Sequence, residues 1–86
     1  MSPTLPLRVT VLDTWDEIPL NLPPGTAVGE LKTRALDASR VTRSPAEYQV
    51  KYLGAELMDE SATLAESGVV ANAALIVLSR RRRPSI

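Results

Sequence analysis

The chain has 86 residues, ten basic and ten acidic side chains, no Cys and no His. One domain is the most this length holds, and such a chain buries only about 60–65% of its unfolded surface, so the core must be efficient. Without Cys and His there is no disulfide, thiolate zinc site, cysteine nucleophile or imidazole base, so neither catalysis nor a cofactor or metal is expected.

Residues 1–6 hold two prolines and read as a loose arm. Leu7, Val9 and Val11 then alternate with Arg8 and Thr10, the period of a strand with one buried face. Asp13-Thr14-Trp15-Asp16-Glu17 is polar and turn-like, and Ile18, Leu20 and Leu22 alternate again. Two alternating runs joined by a short polar link predict a hairpin. Pro19 lies inside the second run and cannot donate to a ladder, which places that strand at a sheet edge and argues against self-pairing there. A monomer is expected.

After Pro23-Pro24-Gly25, Thr26 is the expected N-cap of a helix. Val28, Leu31, Ala35 and Leu36 recur at helical spacing, with Lys32 beside them. Gly29 lowers helix propensity by about 1 kcal/mol relative to Ala, so the helix depends on packing against the sheet. It fades near Ala38-Ser39-Arg40. Tyr48 to Leu53 reads as a third strand with Val50 inward, Gly54 as a tight turn, and Ala55-Glu56-Leu57 as a short fourth strand. Leu64 and Val69 anchor a long connection, in which Gly68 suggests a left-handed backbone position. Leu75 to Leu78 is a final apolar strand in mid-sheet. The order β-β-α-β-β-β gives an α+β domain over 7–79, one helix covering a mixed sheet.

No apolar run approaches the roughly 18 residues of a membrane span, and the start of the chain has no signal-peptide pattern. A small soluble cytoplasmic protein is expected. The charge is unevenly spread: residues 1–79 hold six basic against ten acidic side chains, a net of −4, and Arg80, Arg81, Arg82 and Arg83 open a basic tail over 80–86.

At this point the chain resembles ubiquitin and its relatives, the β-grasp family. The order of elements matches over roughly residues 7–80, and the most specific stretch is YQVKYLGAELMDESATLAESGVVANAALIVL, residues 48–78. By that match Val50, Leu57, Leu64, Val69, Leu75 and Val77 take core positions with Val28, Leu31 and Ala35. Lys32 and Asp59 fall where the family often has a helix lysine facing an acidic loop residue, which implies an ion pair; the alternative, a catalytic lysine, needs a desolvated pocket that a small β-grasp domain rarely has. The family's conjugated members end in a diglycine whose carboxylate is activated. Here Arg83 and Pro84 stand at those positions and no Gly-Gly pair exists in the chain. Neither diglycine conjugation nor the sulfur-carrier role is therefore expected. Similar diglycine-lacking proteins of the type VII secretion accessory kind fit a different description, that of an adaptor or assembly factor.

The expected function is thus a non-catalytic protein–protein interaction module, with a modifier or carrier activated at its C-terminus as the alternative. The resemblance puts Lys51 at the centre of the family's recognition face, with Ile76 and Leu78 on the last strand. If Leu75 and Val77 face the helix, Ile76 and Leu78 face outward beside Thr10, Leu12 and Lys51. Trp15 at the hairpin tip is either an exposed anchor for a partner, a role in which Trp is enriched, or a cover folded back over Leu12 or Pro19. Four arginines supply few phosphate contacts, no aromatic interleaves them for base stacking, and the body is acidic. Nucleic acid is therefore not the expected partner. A solvated tail is the first expectation for Arg80–Arg83, docking to an acidic protein the second.

Overall fold

The structure is a computed structural model and describes residues 4–80. Five strands and one α-helix form a single layered unit: β1 (Leu5–Val11), β2 (Asp16–Leu22), α1 (Val28–Ala38), β3 (Tyr48–Tyr52), β4 (Ala55–Glu56) and β5 (Ala74–Ser79), with a 3-10 turn over Pro45–Glu47 before β3. The sheet order is β2-β1-β5-β3-β4. β1 and β5 run parallel, while the β1–β2, β3–β5 and β3–β4 pairs are antiparallel. The last strand therefore lies at the centre, as its apolar run predicts.

β1 opens at Leu5, two residues before the expected start, and Leu5 and Pro6 pair with Leu22 and Asn21. The alternation of Leu7, Val9 and Val11 extends back to Leu5, which packs against the core. Pro19 is on the edge strand as expected, and its placement there is specific. The amides of Arg8 and Leu12 donate to Ala73 and Val77, so the backbone N–H and C=O groups of the even-numbered residues of β1 point toward β5 and those of the odd-numbered ones toward β2. Their opposite numbers Leu20 and Ile18 then use their amides inward. Glu17, Pro19 and Asn21 face the free edge, and the missing N–H of Pro19 interrupts the middle of it.

The core lies between α1 and the sheet face that it covers. Val9, Val11, Val50 and Val77 from the sheet and Val28, Leu31 and Ala35 from the helix are all fully buried, with Leu64 closing one side. Tyr48 is buried too, its hydroxyl donating to Asp13 in the β1–β2 turn. Leu57 departs from the expectation of a core residue: β4 ends at Glu56, and Leu57 is only partly buried against the rim. Leu53 and Gly54, both at positive φ (54° and 82°), form the two-residue link between β3 and β4, as a type I′ hairpin turn requires.

The helix start also differs from expectation. Ala27, not Thr26, is the N-cap, and no side chain caps the first turn. The carbonyls of Ala62 and Glu60 instead accept from the amides of Val28 and Gly29, both at 2.9 Å. A loop distant in sequence thus satisfies donors that a local cap otherwise serves. It comes so close that a Cβ at position 29 would lie 3.3 Å from the Glu60 carbonyl oxygen, which is why glycine suits this helical position. At the other end Arg40, at φ 62°, donates to Asp37 O and Val41 donates to Leu36 O, the paired bonds of a Schellman cap.

Candidate interaction surface

The register lays the open face of the sheet out as rows. Arg8 and Thr10 on β1 alternate with the buried Leu7, Val9 and Val11, and Ile76 and Leu78 on β5 alternate with the buried Leu75 and Val77. The pairs Thr10↔Glu17, Thr10↔Ile76, Lys51↔Ile76 and Lys51↔Glu56 make one row across all five strands: Glu17, Thr10, Ile76, Lys51, Glu56. Toward the hairpin tip the next row holds Leu12, Leu78 and Gln49, since Val11 pairs with Val77 and Gln49 with Leu78. In the other direction Pro19, Arg8 and Ala74 form a third row. Ile76 is 40% exposed at the centre, and Leu12 and Leu78 are half-buried beside it. The structure brings Thr10, Leu12, Lys51, Ile76 and Leu78 together on this face.

Trp15 stands apart from the rows. It lies in the turn between β1 and β2, three residues past Leu12, and is 78% exposed. That exposure excludes the reading in which it folds over Leu12 or Pro19.

Two features near the surface were not anticipated correctly. Lys32 pairs with Glu60, not Asp59. Its ammonium donates to Glu60 Oε1 and Oε2 at 2.8 and 2.7 Å and to the Tyr48 carbonyl at 3.0 Å. At 3% exposure it needs all three acceptors, because a buried ammonium left unpaired is strongly unfavourable. Asp59 turns instead to its own loop, where the hydroxyl and amide of Ser61 donate to Oδ1. Those bonds hold its carboxyl below the usual range. Arg80 likewise is no free tail residue. Its guanidinium bonds Glu56 at 2.8 Å and Glu60 at 3.3 Å, and its amide donates to Glu47 O at 2.7 Å. Arg81, Arg82 and Arg83 lie outside the described residues.

Beyond the β4 edge an open groove of about 600 Å³ is lined by Glu56, Leu57, Met58, Asp59, Ala62, Glu66 and Ser67. Its carboxylates already have local tasks: Glu66 accepts from the Thr63 amide at 2.9 Å while Thr63 Oγ1 accepts from the Glu66 amide at 3.1 Å, a reciprocal capping box. Among the described residues no group of acidic side chains is arranged to hold a metal ion, and no helix is long and apolar enough to cross a membrane.

Solved structures place this architecture. A de novo design based on ubiquitin matches with a TM-score of 0.78 at 19% identity, covering 98% of each chain. The chain has the ubiquitin-like fold. Ubiquitin of Caldiarchaeum subterraneum superposes on the domain with a TM-score of 0.76 at 18% identity, over 94% of this chain and 99% of that one. A ubiquitin-like domain of an Arabidopsis thaliana protein gives 0.76 at 17% identity, over 98% and 85%. No protein-family model and no curated protein matches the sequence of this ubiquitin-like domain, so the likeness is one of fold, which many functions share.

Proposed function

We propose that this ubiquitin-like domain is a non-catalytic protein–protein interaction module that binds a protein partner through the open face of its sheet. The observation that carries the reading is the apolar centre of that face: exposed Ile76 with Leu12 and Leu78 beside it, rimmed by Arg8, Glu17, Lys51 and Glu56. An apolar centre inside a polar rim is the anatomy of a binding patch. Strand pairing already satisfies the backbone of β5, so apolar side chains on its outer side have no folding task as large as that of Leu75 and Val77.

The test is capture of partners from a lysate of the source cells by the wild-type domain and by Ile76→Asp and Leu78→Asp. Both variants are expected to keep the wild-type circular dichroism and lose the captured protein. Undiminished capture by both would overturn the reading, and unfolding of Leu78→Asp would assign Leu78 to the core. Intact-mass analysis adds an independent check: an adduct through the C-terminal carboxylate would favour an activated modifier or carrier instead.

A further inference from the structure

The hairpin tip sets Trp15 beside Glu17, which stands at the rim of the sheet face. Trp15 is the chain's only Trp and holds its ring in solvent. Its backbone lies at φ 56°, a left-handed conformation that bulky residues avoid and glycine or asparagine adopt easily. Asp13, Asp16 and Glu17 lie within two residues of it along the chain, all exposed, and no basic residue occurs between Val9 and Leu31. Asp13 accepts from the Tyr48 hydroxyl, with Arg43 close enough to act on that hydroxyl. Among the described residues Asp16 and Glu17 have no ion-pair partner.

An indole face attracts cations, and more strongly as water leaves. A guanidinium is the side chain that stacks on such a ring while forking its N–H groups to carboxylates, which a compact ammonium does poorly. The tip is continuous with the proposed interface, because Leu12 both precedes it and begins the Leu12–Leu78 row. We propose that the β1–β2 tip receives an arginine of the partner protein, its guanidinium laid on the Trp15 ring and paired with Glu17, which shares the open face with Thr10, while Asp16, opposite Val11, adds negative charge from the other face. This rests on the preceding reading and names the partner's chemistry: an arginine next to apolar residues that continue onto Leu12, Ile76 and Leu78.

Because Trp15 is the sole Trp, its emission reports occupancy directly. Acetylated hexa-arginine titrated into the full chain is expected to give a saturable emission change. The affinity should fall about fivefold or more as salt rises from about 50 to about 300 mM, and by a similar factor in the double variant Asp16→Asn/Glu17→Gln, which keeps the reporter. Hexa-lysine should bind more weakly. No saturable change, equal affinity in the double variant, or hexa-lysine binding as tightly would overturn the proposal. So would an emission change that grows with protein concentration alone, which would give the tip to the arginine tail of a second copy. Ile76→Asp should bind hexa-arginine as the wild type does, so failure of the sheet-face reading is seen separately. Loss of captured partner in Ile76→Asp with full capture by the double variant would keep the sheet face and sink the arginine site.

Discussion

Tyr48 shows how one side chain ties the sheet to a turn. Burial, and then the hydrogen bond and charge of Asp13, raise its phenol above the ordinary value of 10.0. The neutral phenol is the form the fold keeps, so the stability it contributes is fully present below about pH 10 and is lost as pH rises from there through the raised folded value. Tyr48→Phe removes the bond to Asp13 and should lower stability by about 1–2 kcal/mol at neutral pH. Above pH 10 the gap between wild type and variant should close; denaturant unfolding at a series of alkaline pH values measures this, and a constant gap would count against it. The sequence placed Tyr48 at a strand start but held no sign of the Asp13 contact, since the two are 35 positions apart. Lys32 teaches the same limit. The family pattern identifies a helix lysine facing an acidic loop, yet Asp59 and Glu60 are adjacent carboxylates. Only the path of the loop over Gly29 decides which one reaches the ammonium.

Among the elements, strands and helix are largely legible because their periods of two and 3.6 write burial directly into the sequence. The ends are less so. Thr26 has the right chemistry for an N-cap, but the loop carbonyls of Ala62 and Glu60 already occupy the first amides. The capping box at Thr63 and Glu66 carries the Thr-x-x-Glu spacing of that motif, a local signal that sequence reasoning missed. The C-terminus of α1 adopts a Schellman cap with arginine where glycine is the usual residue. Arg40→Gly keeps that geometry and removes the left-handed strain, so we predict a gain of about 0.5–1 kcal/mol, offset slightly by a more flexible unfolded chain. A thermal scan should show the midpoint rise by a few degrees; a fall would mean that the Arg40 side chain makes contacts that outweigh the strain.

At the scale of the molecule, the open face could be drawn from the sequence once the order of strands was assumed, because alternation assigns each residue a side. What stayed hidden was the hairpin tip's exposure and the capture of Arg80 by Glu56 and Glu60, both of which depend on how separate segments approach. The central position of β5 has a further consequence, in the timing of synthesis. The β1–β2 hairpin emerges from the ribosome first, followed by α1 and then β3 and β4, yet no strand joins these halves until residues 74–79 arrive. Val9 must wait for Leu75, its partner 66 positions later. Closing so long a loop is entropically unfavourable until its contacts form. We therefore predict that a chain stopped after Ala73 lacks the cooperative unfolding transition of the full chain, and that a synthetic peptide spanning residues 74–80 restores it when added. A stopped chain that unfolds cooperatively by itself would show that the two halves meet without their shared strand. During translation the nascent domain would then stay open until residues 74–79 complete the sheet.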